Sequence, residues 1–188
     1  MDEAGRGPWA GPVVAAAVLI ERWDFAARID DSKRLTAAAR ERAFGEILHR
    51  ARIGVGLASH ETIDHLNILQ ATRLAMIAAV HRLGLVPEIV LVDGQIPPLG
   101  VGRQVNIIHG DQRSCSIACA SIVAKVVRDR IMAVYERRFP GYAFGRHKGY
   151  GTQLHHDALR RLGPSPIHRQ SFLPVQRVLA IFQSTTAR

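Results

Sequence analysis

Short apolar runs alternate along the chain with longer segments in which apolar side chains recur every three or four residues. The runs at 12–20, 89–92 and 105–108 are dominated by apolar residues, which is typical of strands covered on both faces. A fourth strand is predicted at 53–57, where apolar residues alternate with small or polar ones. The pattern therefore predicts a central sheet.

Helices are predicted between and after these strands. Thr36 and Thr152 each precede a helical pattern and carry the kind of side chain that caps a helix N-terminus. The predicted helices span residues 37–49, 67–83, 116–138, 153–162 and 175–182. Because strands alternate with helices, the sequence favours the α/β class: a mixed sheet flanked by helices, with helical material gathered at the C-terminus.

The composition is that of one ordinary domain with an aliphatic core. Hydrophobic residues make up 47% of the 188 residues and aromatic residues only 6%. No apolar run reaches the roughly eighteen residues of a membrane span, and the acidic start does not resemble a signal peptide, so we expect a soluble, cytoplasmic protein. Cys115 and Cys119 are too few for a disulfide framework or a thiolate zinc site. We expect them to be small buried hydrophobic residues.

Positive charge is concentrated in the second half of the chain. Residues 1–93 carry 11 basic and 12 acidic side chains, whereas residues 94–188 carry 14 basic and 4 acidic ones. Such asymmetry indicates a basic face that meets a polyanion such as nucleic acid. Ribosomal or chromatin proteins share this feature, so charge alone does not predict an enzyme.

Carboxylates stand at the ends of the predicted strands. Asp2 and Glu3 precede a glycine-rich turn, Asp93 ends one strand, and Asp111 follows the end of the next. If these strands are neighbours, the carboxylates converge, and divalent cations would offset their mutual repulsion. Two such ions, about 3.5–4 Å apart, are a common device for phosphodiester hydrolysis. From spacing alone, an ordinary Asp-Gly turn and a solvated terminus remain the alternative reading.

Several segments resemble, in order, the signature segments of type 2 ribonucleases H. The first is the most specific: Asp2-Glu3-Ala4-Gly5-Arg6-Gly7-Pro8-Trp9-Ala10-Gly11-Pro12-Val13-Val14. The others are Asp31-Ser32-Lys33, Val92-Asp93-Gly94, Gly110-Asp111 followed by residues 120–125, His147-Lys148-Gly149-Tyr150, and residues 171–175. The resemblance covers essentially the whole chain.

This resemblance implies a ribonuclease H-like α/β fold and an activity. The catalytic domain would occupy residues 1–140, and residues 141–188 would form a C-terminal helical extension packed on the same domain. The implied enzyme is a monomeric endoribonuclease that hydrolyses the RNA strand of RNA–DNA hybrids. It would also cut at single ribonucleotides embedded in duplex DNA, leaving 3′-hydroxyl and 5′-phosphate ends.

The resemblance also implies the site residues. Catalysis would use two Mg²⁺ or Mn²⁺ ions, and their catalytic ligands would be Asp2, Glu3, Asp93 and Asp111. The segment Gly5-Arg6-Gly7 would read the ribose 2′-hydroxyl, the local mark that distinguishes RNA from DNA. Tyr150 would stack beneath the deoxyribose next to the ribonucleotide. The residues expected to hold phosphates are Lys33, Ser121, Lys125 and Arg146.

Alternatives stay open for some of these residues and for the whole chain. Lys125 would equally suit a solvated helix surface, Tyr150 would equally suit the cover of an apolar edge, and Asp129 is expected to pair with Lys125 or Arg130 rather than bind metal. The chain as a whole would also suit a catalytically impaired or N-terminally truncated nucleic-acid-binding relative. Type 3 ribonucleases H share the catalytic pattern but typically carry an additional N-terminal domain.

The first strand is expected to be short. Only Met1 stands before Asp2, whereas the family has several apolar residues there. We therefore expect Asp2 and Glu3 to lie on a frayed end that binds metal less tightly.

Overall fold

The computed structural model describes residues 1–186, which form strands and helices in the alternating order expected of an α/β protein. The strands are β1 Asp2–Ala4, β2 Val13–Ile20, β3 Ala51–Ala58, β4 Ile89–Asp93 and β5 Arg103–Ile107. The helices are α1 Ala37–Arg50, α2 His60–His81, α3 Gly110–Arg113, α4 Cys115–Arg138, α5 Phe144–His147, α6 Gln153–Leu162 and α7 Leu173–Thr186. Residues 187–188, which end the predicted C-terminal extension, lie outside the described residues.

The five strands form two hydrogen-bonded groups, and Met1 links one group to the other. β1, β2 and β3 pair antiparallel in that order, and β4 pairs with β5 in parallel. The Met1 ammonium donates to the carbonyl of Leu91 at 2.6 Å, and the amide of Asp93 donates to the carbonyl of Met1 at 3.1 Å. These two bonds have the pattern of a parallel pairing with Val92, so Met1 brings β1 alongside β4. The strand order across the molecule is β3-β2-β1-β4-β5.

Helices cover both faces because the side chains of β2 alternate between them. Val13, Ala15 and Ala17 join the cluster formed with α2 and β4, whereas Ala16 joins the cluster formed with α1 and α4. The contact between α2 and β3 is especially close. A Cβ on Gly54 would stand 1.9 Å from the carbonyl oxygen of Ala79, so only glycine allows this approach.

Two predicted helices differ in extent from the structure by more than one residue. α2 begins at His60, behind a Ser59 cap, rather than at residue 67. The predicted start coincides with a kink at Asn67, whose φ is +69° and whose side chain accepts from the amides of Leu69 and Gln70. Asn67 therefore caps the second half of α2. α7 is also longer than predicted, since it begins at Leu173.

The helices after residue 140 pack against the end of α4. Phe144 and Tyr142 stack on each other and share an apolar cluster with Met132 of α4. The predicted division of the chain at residue 140 stays a prediction. Among residues 1–186, no helix is long and apolar enough to cross a membrane.

Candidate metal centre and substrate groove

Three of the predicted carboxylates meet at one edge of the sheet. Asp2 lies in β1, Asp93 ends β4, and Asp111 lies in the short helix α3. One carboxylate oxygen from each lies within 4.8 Å of the others. Asp2 and Asp111 are buried and Asp93 is partly buried. The convergence that strand-end placement predicted is therefore present for these three residues.

The connection after β5 brings Asp111 to Asp93. β4 and β5 end together, with Asp93 opposite Ile107. The chain then turns through His109, which has a φ of +54°, and the amide of Gly110 donates to Oδ1 of Asp93 at 2.6 Å. A Cβ on Gly110 would lie 3.3 Å from that oxygen, so glycine permits the close contact.

The cluster carries more negative charge than the protein alone neutralises. Burial and the neighbouring carboxylates of Glu3 and Asp93 raise the pKa of Asp2 to about 7. Burial, Asp31 and Asp93 also raise the pKa of Asp111. Carboxylates at such short range repel each other, and a divalent cation with oxygen ligands removes that repulsion. The donor set therefore fits a hard divalent metal.

Glu3, the fourth predicted ligand, lies beside the three aspartates and outside their closest grouping. Its Oε1 accepts from Arg6 at 3.4 Å, whereas its Oε2 is buried without a hydrogen-bond partner among the described residues. Burial raises the pKa of Glu3 as well. A buried oxygen without a partner is costly, and a cation at the cluster would satisfy it. The ligand role of Glu3 stays a prediction.

Asp31 is a fifth carboxylate near the cluster and is not among the ligands that the sequence predicts. It is buried, accepts from the amide of Lys33 at 2.9 Å, and lies close enough to Asp111 to raise the pKa of that carboxyl. Burial lowers the pKa of Lys33, but Asp31, Asp2, Asp111 and Asp93 outweigh it and raise the value overall. The available signal was the segment Asp31-Ser32-Lys33, from which only the lysine was predicted to act.

An open cavity of about 480 Å³ adjoins the carboxylates. It is lined by Glu3, Ala4, Gly5, Arg6, Gly7, Ser32, Lys33, Ser121, Lys125 and Tyr150. Seven of the eight residues predicted to contact substrate therefore share one surface. The eighth, Arg146, is exposed on α5 and does not line the cavity, so its phosphate contact stays a prediction.

The side chains of α4 that face this cavity are already held by protein contacts. The hydroxyl of Ser121 donates to that of Ser32 at 2.9 Å. Lys125 donates to Asp129 at 2.5 Å, which confirms the expected pairing of Asp129, and Arg40 lies 3.7 Å from the same carboxylate. Burial lowers the pKa of Lys125, while its hydrogen bond to Asp129 acts in the opposite direction. Both side chains are thus placed before any substrate arrives.

Tyr150 lines the cavity next to the glycine-rich loop. It is 42% exposed, and a Cβ on Gly7 would lie 3.8 Å from its ring. The guanidinium of Arg128 lies 5.9 Å from the ring centroid on the protein side. The ring of Tyr150 is therefore supported by Arg128 and still has an accessible surface, which suits stacking on a sugar.

A mixed sheet of this order, with aspartates gathered where its central strands meet, defines a metal-dependent nuclease of the ribonuclease H-like class. Comparison with known proteins narrows that class. The family model for Ribonuclease HII matches residues 1–175, and the chain belongs to the ribonuclease HII family. It is 55% identical over 175 residues to the Ribonuclease HII of Rhizorhabdus wittichii, which covers 93% of this chain and 87% of that protein.

Solved structures share the same fold. Ribonuclease H2 from Pyrococcus horikoshii superimposes with a TM-score of 0.79 at 23% identity, covering 97% of this chain and 96% of that one. Bst-RNase HIII in complex with Mn²⁺ gives a TM-score of 0.73 at 18% identity, covering 97% of this chain and 69% of that one. These likenesses confirm the predicted fold class. By family, the chain is a metal-dependent endoribonuclease that acts on RNA–DNA hybrids.

Proposed function

We propose that this enzyme cuts at single ribonucleotides embedded in duplex DNA as well as within RNA–DNA hybrids, and that it uses two divalent cations to do so. The observation that carries the proposal is the position of the aspartate cluster. It adjoins a cavity that also contains the glycine-rich loop and Tyr150. One end of this surface suits metal and phosphate, and the other suits a ribose and its neighbouring sugar.

The cations would be held by Asp2, Glu3, Asp93 and Asp111. Mg²⁺ and Mn²⁺ both prefer such oxygen ligands, and the related Bst-RNase HIII has been crystallised with Mn²⁺. When bound there, two such ions would activate a water molecule and stabilise the leaving oxygen of the phosphodiester. The products would then carry 3′-hydroxyl and 5′-phosphate ends.

Recognition of the ribonucleotide would come from the loop Gly5–Gly7. The backbone there lies at the cavity surface because neither glycine carries a side chain, and Gly5 has a φ of +98° that favours glycine. Backbone groups at this surface suit the 2′-hydroxyl, which both donates and accepts hydrogen bonds. Tyr150, across the loop, would stack on the next deoxyribose and so detect the RNA–DNA junction.

Basic side chains around the cavity would hold the phosphates on either side of the cut. Lys33 and Lys125 line the cavity directly, and Ser121 adds a hydroxyl to the same surface. Arg146 would contact a phosphate farther along the duplex. Because the site is complete within one chain, we also propose a monomer, and we propose a cytoplasmic location, where chromosomal substrates lie in bacteria such as the relative named above.

The test is cleavage of a DNA duplex that carries one ribonucleotide, compared with a long RNA–DNA hybrid and an all-DNA duplex. We expect cleavage of the first two with Mg²⁺ or Mn²⁺, none with chelator, and none of the all-DNA duplex. The variant Asp24→Asn should cleave both substrates as the wild type does, since Asp24 is exposed and its ion pair within residues 1–186 is with Arg50 at 3.5 Å. Cleavage of the hybrid without cleavage at the single ribonucleotide would refute the finer part of the proposal.

A further inference from the structure

Two arginines are buried beneath the glycine-rich loop, and neither forms an ion pair with an acidic side chain within residues 1–186. Arg128 of α4 is 1% exposed and Arg169, which precedes α7, is 0% exposed. Every hydrogen bond that their side chains make within residues 1–186 goes to a backbone carbonyl. Buried charges are costly and are normally paired with opposite charges. These two therefore need another explanation.

Arg169 binds the carbonyls at both ends of the glycine-rich loop. Its Nη2 donates to the carbonyl of Gly5 at 2.6 Å and its Nη1 to that of Arg6 at 2.8 Å. Its Nε and Nη2 reach the carbonyl of Gly11 at 3.0 and 2.9 Å. The backbone of Arg169 is held as well, since its amide donates to the carbonyl of Trp9 at 2.8 Å. One planar fork thus spans both ends of the segment from residue 5 to residue 11.

Arg128 joins this loop to the segment that carries Tyr150. Its Nε donates to the carbonyl of Pro12 at 3.0 Å, its Nη2 to that of Ala10 at 3.2 Å, and its Nη1 to that of Lys148 at 2.9 Å. The same guanidinium lies under the ring of Tyr150. A Cβ on Gly5 would stand 2.0 Å from its Nε, so the first glycine of the loop packs directly on this side chain.

The orientation of these carbonyls determines where the loop amides point. In a trans peptide, the N–H of the following residue points away from the carbonyl. Because the carbonyls of Gly5 and Arg6 face Arg169, the amides of Arg6 and Gly7 face away from it. Neither amide has an acceptor within the described part of the chain, and both residues line the cavity. The buried fork therefore presents two free donors to the substrate surface.

Arg169 keeps its charge at neutral pH. Burial lowers the pKa of Arg169 to about 9, and it lowers the pKa of Arg128 as well. A lysine would retain a positive charge but would lack the planar fork that reaches several carbonyls at once. The arrangement therefore requires arginine for its shape as much as for its charge.

We propose that Arg128 and Arg169 are positioning residues for substrate recognition: Arg169 orients the Gly5–Gly7 loop, and Arg128 sets the distance between that loop and Tyr150. The proposal rests on the proposed function, in which the loop and Tyr150 together recognise a ribonucleotide next to a deoxyribose. Neither arginine lines the cavity, so both act through other residues. Their loss should impair recognition at a single ribonucleotide more than cleavage within a continuous hybrid.

The test compares Arg128→Lys and Arg169→Lys with Arg82→Lys as a control. Arg82 also donates to a backbone carbonyl, that of Val55 at 2.7 Å, but it is exposed and directly follows α2. We expect kcat/KM at a single embedded ribonucleotide to fall about tenfold or more relative to the long hybrid in the two test variants. The control should be unchanged on both substrates. Combining Arg128→Lys with Tyr150→Ala should cost less than the product of the separate losses, because both disturb one contact.

A second measurement separates this proposal from the proposed function. Hydrogen exchange at the amides of Arg6, Gly7 and Gly11 reports the loop without any substrate, and we expect faster exchange at Gly11 in both test variants. If a lysine variant fails to fold, the Arg→Gln variant, which removes the buried charge and keeps a donor, takes its place. If the wild-type enzyme does not cut at single ribonucleotides, the proposed function fails, and exchange alone then decides the positioning role. Unchanged hydrogen exchange would overturn the positioning role. So would equal losses of kcat/KM on the two substrates, or losses in the double variant that equal the product of the separate losses.

Discussion

Acidic pH is expected to destabilise the fold through His155 and His168, which lie buried behind Tyr150. Their Nε2 atoms are 3.0 Å apart, and the amide of Ser165 donates to Nδ1 of His168 at 2.9 Å. The proton of His168 is therefore on Nε2 and is donated to His155, which in turn donates from Nδ1 to the carbonyl of Tyr150 at 3.0 Å. A second proton on either ring would set two N–H groups against each other.

The size of the effect follows from the pKa values of the two rings. Burial, together with the neighbouring imidazoles, lowers the pKa of His155 from 6.5 to about 4 and that of His168 from 6.5 to about 3. At pH values between these folded-state pKa values and 6.5, the unfolded chain binds protons that the folded chain does not. The contribution of these rings to the free energy of unfolding therefore has its full value above pH 6.5 and decreases as the pH falls. At about pH 5 the expected loss is about 2 kcal/mol for each ring.

Urea unfolding from pH 7.5 down to pH 5, without metal, measures this loss. The raised pKa of Asp2 acts with the opposite sign, since that carboxyl stabilises the fold as the pH falls. The comparison is therefore between variants: His168→Gln keeps a donor at the same place but does not titrate, and its pH dependence should be shallower by about 2 kcal/mol. His81→Gln, at an exposed histidine, should match the wild type. Equal slopes for His168→Gln and the wild type would refute the reasoning.

Three further predictions concern the site. Asp93→Asn should reduce nuclease activity by orders of magnitude while the free energy of unfolding without metal stays level or rises, because one charge leaves the cluster; near-normal cleavage would make Asp93 a turn residue. Tyr150→Ala should lower kcat/KM at a single ribonucleotide more than within a long hybrid, and equal losses would mark the ring as structural. An apolar segment of about four to six residues added before Met1 should tighten metal binding, since a space of about 180 Å³ lies between β2 and β4 there. Equal metal affinities by calorimetry would show that Met1 alone holds the first strand in place.

The first strand is more firmly held than the sequence indicated. Only Met1 precedes the two terminal carboxylates, and fraying was the natural expectation. In the structure Met1 is 4% exposed, and both its ammonium and its carbonyl are bonded to β4. The sequence contains no sign of this, because the bonds join residues that are about ninety positions apart.

Local patterns determined most of the elements. Apolar runs marked β2 and β4, and the capping threonines Thr36 and Thr152 marked the starts of α1 and α6. Strand-end placement together with the family resemblance also marked Asp2, Asp93 and Asp111 as convergent. These features could be predicted because each depends on residues close together in the chain, where periodicity, capping and turn chemistry act directly.

Only the tertiary structure decided how the site is supported. Asp31 meets Asp111 across 80 positions, and Arg169 reaches back to Gly5 across 164, so neither contact leaves a periodic mark in the sequence. Nothing in the sequence pattern distinguishes Arg128 and Arg169 from the other basic residues, yet the fold buries both of them against carbonyls. His168 likewise gains its partner only when α6 and the segment before α7 pack together. Side-chain burial and hydrogen-bond partners depend on which distant elements pack together, so the same amino-acid type has a different role in each place.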